Sequence, residues 1–297
     1  MRLMAAAACL GLYAPGGNVA QAYCRTSTCS SCARDTQTGC SVGGTPVAWP
    51  NACVSFSMQE AASAVLNLEN ATALMREAFV TWENARCGGA GDKPSLAISD
   101  SFGPALCATP QYNGRAGNAN IVLFRDDDWP YSGAGRELAA TWLTVDGQGA
   151  ILDADIEINA TGPLSSRTSE GLSLGVIVDQ HDLLSIMVHE AGHFLGLDHS
   201  RVEGSVMRAD LSSSEVRTQL SPDDVAAICA AYPPDRDAAA CDATPRGGFV
   251  TECAPAAAAT SGCSVQLPGR SSGSALGTGA LLLGLWAVRC KWRRRSR

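Results

Sequence analysis

Apolar positions along this chain recur at two periods, and the switches between them mark out its elements. From Ala71 the apolar residues Ala71, Leu74, Met75, Ala78, Phe79 and Trp82 fall at i, i+3, i+4, i+7, i+8 and i+11, one face of an amphipathic helix. Asn70 is placed to cap its start, and Cys87-Gly88-Gly89 follows its end. Before it, 54–58 alternates weakly, as a strand does. After it come strand candidates at 95–99, 120–124 and 138–145, then a turn at Asp146-Gly147. A further strand over 151–158 has Ile156 and Ile158 alternating with acidic neighbours. The helical period returns over 179–195, where Leu183, Leu184, Met187, Val188, Ala191, Phe194 and Leu195 are apolar. Ser221-Pro222-Asp223-Asp224 opens a last helix: serine can cap, proline suits the first turn, and the acids favour the positive end of the dipole. That helix should run to near Tyr232, where Pro233-Pro234 stops it. One early helix, a run of strands and then later helices predict an α+β fold.

The two ends of the chain depart from this pattern. Residues 1–22 combine Arg2, an apolar stretch over 3–13, and Ala20 and Ala22 flanking Gln21, which reads as a secretory signal peptide cleaved after Ala22. Pro15, Gly16 and Gly17 argue against a buried helix there. Residues 23–53 form a cysteine-rich extension with few apolar positions, and 54–234 holds the periodic elements of a single domain. Beyond Pro234 the composition shifts to Ala, Asp, Pro, Gly and Thr, so 235–262 reads as a linker, looped by Cys241 and Cys253. The segment 263–297 holds an apolar run over 275–288 followed by Arg289, Lys291, Arg293, Arg294, Arg295 and Arg297. A bilayer core needs about 20 apolar residues, so the run is short unless Leu267 onward contributes. The basic end would stay cytoplasmic.

Charge and cysteine content narrow the classes further. Of 22 basic residues, six lie in that final cluster and one is Arg2, which leaves 15 against 29 acidic residues over 23–270, a net of 15 − 29 = −14. Such a body excludes nucleic acid as the expected partner, since phosphates are met by basic surface. The chain has 13 cysteines, many for a reducing compartment. Setting aside Cys9, Cys263 and Cys290 leaves ten, which fits five bridges. Cys29 and Cys32 form a C-x-x-C pair, read as structural disulfide chemistry ahead of a redox or zinc site. A thiolate from 24–40 reaching a metal in the cleft is a further option.

The chemistry concentrates in His189-Glu190-Ala191-Gly192-His193-Phe194-Leu195-Gly196-Leu197-Asp198-His199. Histidines at i and i+4 share one helix face, so His189 and His193 can present imidazole nitrogens to one zinc ion at about 2.0–2.1 Å. Gly196 can adopt the positive φ that ends the helix, turning the chain back so that His199 meets the same ion. Three protein ligands leave a position open for water, and Glu190 stands beside the metal as a general base. Three of only four histidines fall on this spacing, which a surface helix carrying histidines by chance would not produce. The fourth, His181, is expected to face solvent. Asp126, Asp127 and Asp128 are adjacent, and Asp153, Asp155 and Glu157 alternate on one strand. Both groups read as solvated acidic faces, with calcium as the alternative.

The histidine stretch resembles the metzincin motif H-E-x-x-H-x-x-G-x-x-H at all five specified positions. The resemblance implies a methionine turn beneath the metal, and Met207 in Ser205-Val206-Met207 is carried over as its methionine, a hydrophobic floor and not a ligand. Within the metzincins the layout over 54–232 looks most like the matrixins. It implies a twisted mixed sheet with a long early helix, a zinc-binding active-site helix and a C-terminal helix. It also implies an edge strand, by order 138–145, that pairs with an extended polypeptide substrate, and a loop over 209–220 that shapes the neighbouring pocket. There is no match to the matrixin cysteine-switch propeptide and no further histidine set for that family's structural zinc. The tail resembles the MYXO-CTERM type of sorting signal, with Gly262-Cys263, an apolar segment and terminal arginines, which implies contact with the membrane or sorting machinery. The expected protein is therefore a secreted or surface-anchored zinc endopeptidase. The alternative is a catalytically silent surface adhesin that keeps zinc as a folding staple.

Overall fold

The computed structural model describes residues 22–88, 92–131, 137–161, 164–167, 173–174, 181–213, 215–252 and 264–266. The leader up to residue 21, Cys253 and the apolar and basic tail lie outside them. The elements run β1 (Cys24–Arg25), β2 (Cys53–Ser55), β3 (Ser57–Met58), α1 (Leu68–Glu83), β4 (Ala97–Ser99), β5 (Ile121–Arg125), β6 (Ala139–Val145) and β7 (Ile151–Asn159). They continue as β8 (Leu164–Arg167), β9 (Ser173–Leu174), β10 (His181–Asp182), α2 (Leu183–Phe194), β11 (Leu197–Asp198), α3 (Pro222–Ala231) and β12 (Ser264–Gln266). This is the expected α+β architecture: three helices among the described residues, and a mixed sheet.

The main sheet has the order β12-β6-β7-β5-β3. β3, β5 and β7 run parallel, and β6 is antiparallel to both β7 and β12. The expected strand over 54–58 is split at Phe56, because its N–H turns to Ser99 while Ser57 N–H turns to Asn120. β2 thus pairs with β4, and β3 joins the main sheet. The apolar face read from 71–82 is the buried face of α1, with Ala71, Leu74, Met75, Ala78, Phe79 and Trp82 all inside. Its start lies earlier than expected: Asn67, not Asn70, is the cap, and its side chain accepts from Asn70 N–H at 2.9 Å. Both asparagines suit that role, and the choice falls to the one that lets Leu68 pack against the core. α1 lies against α2, and Phe79 bridges Phe56 and Phe194 at ring separations of 5.1 and 5.0 Å.

Two expectations are corrected. Strand 138–145, read as a sheet edge, is covered on its outer side by β12, with Thr144, Leu143 and Trp142 opposite Ser264, Val265 and Gln266. The acidic residues of β7 are not a solvated face: Asp153, Asp155 and Glu157 are 2%, 2% and 0% exposed. The irregular chain before β5 reaches Asp155, and neighbouring groups satisfy Asp155 and Glu157. Asp155 accepts from Ile121 and Gln111 N–H at 2.8 Å each, and Glu157 pairs with Arg125 and accepts from Trp142 Nε1 at 2.7 Å.

Asp153 meets the Asp155 carboxyl and has one oxygen buried without a partner. Burial, then each other's proximity, pushes Asp153 well above the usual carboxylate range, and burial brings Asp155 up to about 8. Carboxyls whose pKa is higher folded than unfolded hold more protons in the native state. Stability therefore falls as pH rises from about 4, the ordinary aspartate value, toward 8. Asp153→Asn places an amide donor against Asp155 in place of the shared proton. Urea midpoints measured from pH 5 to 8.5 should decline less steeply in this variant than in the wild type. Parallel profiles would overturn the prediction.

Disulfides join Cys24–Cys40, Cys29–Cys32, Cys53–Cys241 and Cys87–Cys229, and Cys107 is bridged as well. The pair at Cys29 and Cys32 is closed, and with Cys24 and Cys40 also bridged, 24–40 offers no thiolate to a metal. Cys241 bridges back to Cys53 and so does not close a loop with Cys253. The chain after Pro234 packs on the body: Arg236 reaches the carbonyls of Trp49, Asn51 and Ser95, and Asn118 bridges to Phe249. No helix among the described residues is long and apolar enough to cross a membrane.

Candidate metal centre

α2 begins at Asp182, whose carboxylate accepts from Ser185 N–H and Oγ at 2.9 and 2.6 Å. Its far end would leave free carbonyls. Trp49 Nε1 takes that of Phe194 at 2.9 Å and Tyr232 Oη that of Leu195 at 2.9 Å, while Trp82 Nε1 grips Val188 O at 2.8 Å mid-helix. The helix is therefore fixed along its length by aromatic donors from three distant parts of the chain. Gly196 ends it at φ +83°, donating to His193 O at 2.8 Å. A β-carbon there would lie 2.6 Å from Val47 O, so both the conformation and the close approach require glycine.

The turn brings the three expected histidines together. His199 Nε2 lies 3.3 Å from His189 Nε2 and 3.1 Å from His193 Nε2. The other nitrogens are anchored: His189 Nδ1 is 2.7 Å from Val206 O and His193 Nδ1 is 2.8 Å from Leu197 O. A carbonyl only accepts, so each Nδ1 carries the proton and each Nε2 turns a lone pair inward. Burial, followed by the neighbouring imidazoles, holds His189 and His193 down at about 3 and His199 well below its ordinary value. Three neutral nitrogens whose lone pairs converge this closely repel one another unless a cation lies among them. This donor set fits zinc, which takes three imidazoles in catalytic sites. Among the described residues it is the group whose donors converge in this way, and neither acidic cluster forms another. His181 is half-buried in β10 rather than facing solvent and stands outside the group.

Glu190 is buried beside the histidines, and Thr141 Oγ1 of β6 donates to its Oε2 at 2.5 Å. Burial pushes its carboxyl up to about 8, with the Thr141 bond pulling the other way. Met207 is buried beneath α2, its sulfur against Gly192. Two participants were not singled out from sequence. One is Thr141. The other is Asp224, read only as a dipole-favouring acid, whose carboxylate accepts from Ser205 Oγ at 2.6 Å, Val206 N–H at 2.9 Å and Ser221 N–H at 2.8 Å. It thereby holds the carbonyl that orients His189. In the loop after Met207, Arg217 is buried and donates from its backbone to Ser185 Oγ at 2.7 Å and from its guanidinium to Ser205 O at 3.2 Å.

Residues 112–233, which include every residue of this centre, match the matrixin family model. The chain is similar to "Matrix metalloproteinase-C" of Caenorhabditis elegans, 30% identical over 155 residues that cover 48% of this chain and 25% of that protein. It is likewise similar to "Probable matrix metalloproteinase 095L" of Invertebrate iridescent virus 3, at 32% over 36% of this chain and 26% of the other. "Metalloendoproteinase 2-MMP" of Arabidopsis thaliana is 31% identical over 45% of this chain and 31% of its own length. The matched region thus spans between a quarter and a third of these relatives.

Proposed function

We propose that this protein is a matrixin-like zinc endopeptidase in which His189, His193 and His199 hold the metal and Glu190 handles protons. The observation that carries the reading is the convergence of three imidazoles, two of them oriented by backbone carbonyls, beside a buried carboxyl. The chemistry a zinc ion supplies when bound there is Lewis-acid in kind, polarising a peptide carbonyl and acidifying water. Thr141 holds Glu190 Oε2, which leaves Oε1 to take the proton of the attacking water. Glu190 then returns that proton to the leaving amine. A cation at the imidazoles favours the carboxylate form of Glu190, which the acceptor role requires. Met207 supplies an apolar floor under the helix that carries two of the histidines.

The outer side of β6 supports an extended polypeptide as the substrate. β6 carries Thr141, and residues 264–266 already lie along it as an antiparallel strand, the arrangement a substrate would adopt by β-addition. In this reading tail and substrate compete for one edge. A chain ending at Gly262 should cleave an unstructured protein such as casein with a KM several-fold lower than the full chain and a similar kcat. Equal KM values would remove the tail from the cleft.

Export is part of the same proposal. The leader-like start and the bridging of all nine cysteines among the described residues fit an oxidising compartment, secreted or at the cell surface. The test of function is cleavage of casein by the purified chain, lost with a chelator and restored by zinc. Zinc uptake without turnover would overturn the reading in favour of a silent surface-binding protein.

A further inference from the structure

The two carbonyls that orient histidines belong to different supports. Val206 O, which sets His189, is held through Asp224 at the start of α3. Leu197 O, which sets His193, also accepts from Thr26 Oγ1 at 3.1 Å. Thr26 N–H donates to Gly196 O at 3.0 Å, and β1 pairs antiparallel with β11, Cys24 opposite Asp198 and Arg25 opposite Leu197. Asp198 is buried, with one oxygen on the N–H of His199 at 2.8 Å and the other on Arg34 Nη1 at 3.0 Å. Arg34 Nη1 also reaches Gly39 O at 2.9 Å. Beyond His199, Arg201 donates back to Thr36 O and Gln37 O at 2.7 and 3.2 Å. Residues 24–40, closed by the Cys24–Cys40 disulfide, therefore grip the chain on both sides of His199.

We propose that this disulfide-closed loop is a working part of the metal centre, with Arg34 and Thr26 as positioning residues that fix His199 and His193 for zinc. The inference rests on the zinc reading above and assigns a role to a segment that the reaction itself does not use. Asp198 is a buried carboxylate whose only cationic partner is Arg34 among the ion pairs of the described residues. With that partner removed, the carboxylate turns toward water to recover solvation and releases the N–H of His199. Without the disulfide, the two residue pairs of β1 and β11 and the bonds of Thr26, Arg34 and Arg201 are what hold the loop here, and the support that keeps Leu197 O on His193 loosens. Groups that orient metal-binding imidazoles typically change affinity by about 10- to 100-fold when lost.

The experiment uses the full chain with its disulfides formed. Zinc affinity is measured by competition with a chromophoric chelator, and cobalt substitution reads the ligand geometry from its visible spectrum. Arg34→Ala should weaken zinc by about 10- to 100-fold and alter the cobalt spectrum, with far-ultraviolet circular dichroism unchanged. Arg34→Lys, which keeps a cation on Asp198, should recover most of the loss. The Cys24→Ser/Cys40→Ser double variant should weaken zinc at least as much. Arg34 is 44% exposed, so its variant tests the idea even if the cysteine pair is needed for folding. Wild-type affinity and spectrum in Arg34→Ala would overturn the inference. A wild-type chain that takes up neither metal would instead fail the zinc reading itself, and this inference with it.

Discussion

Glu190→Gln is expected to lower kcat/KM for casein-derived peptides by about a thousandfold, within the range for a lost general acid–base, while leaving zinc content at one per chain. The amide is isosteric, and it can still meet Thr141 Oγ1, which now donates 2.5 Å to Oε2. What it cannot do is take a proton from water and return it to the amine. Glutamine is therefore the cleaner probe, because alanine would also leave the buried Thr141 hydroxyl with only its 3.4 Å contact to Glu190 O. The measurement is kcat/KM together with metal analysis on the same preparation. A loss of less than tenfold would assign the proton transfer to another group. Lost zinc would mean that the carboxyl supports the metal and not the chemistry.

How much of this was legible beforehand follows from the sequence distance over which each feature is made. The three histidines could be read because their geometry is local: i and i+4 on one helix, then a glycine turn within six residues of His193. The helices could be read for the same reason, and Ser221 caps α3 as its sequence implies. Met207 was expected from its position after the motif, and its sulfur does lie under α2. The supports of the site are a different matter. Thr141 meets Glu190 across 49 residues, Thr26 meets Leu197 across 171 and Arg34 meets Asp198 across 164. No periodicity encodes such pairings. The same holds for the acidic residues of β7, whose alternation with isoleucine gives one solvated face by pattern alone. Asp155 is satisfied by backbone N–H groups of irregular chain and of β5, which carry no sequence signal, and Glu157 by Arg125 and Trp142 on the neighbouring strands, 32 and 15 residues away. β6 reads as an edge for a related reason: its partner β12 comes from a segment whose composition suggested sorting, not sheet.

Gly192→Ala is the second large effect, and it sets two helix terms against each other. Alanine should favour an α-helix by about 1 kcal/mol over glycine. Here its β-carbon would lie 2.2 Å from Met207 Sδ and 2.8 Å from Trp82 Cζ2. Trp82 is fully buried and tied by its indole N–H to Val188 O, so it has little freedom to retreat. Met207 is the softer neighbour, but its backbone N–H is held by Ser205 Oγ at 3.1 Å, and the adjacent Val206 O orients His189. Overpacking of this kind costs about 1–3 kcal/mol, so the net for alanine is a loss of up to about 2 kcal/mol. Valine should lose more than 3 kcal/mol, beyond the usual overpacking range. A double-mutant cycle with Met207→Ala isolates the contact. Removing the methionine side chain alone opens a cavity and costs about 2–5 kcal/mol, yet it also vacates the space the new methyl group needs. The two losses should therefore fall short of additive by at least about 1 kcal/mol, outside the usual scatter for independent sites. Denaturant unfolding of the four proteins gives that coupling. Strict additivity would mean that the methyl group meets Trp82 alone, and that Met207 does not pack beneath the helix bearing His189 and His193.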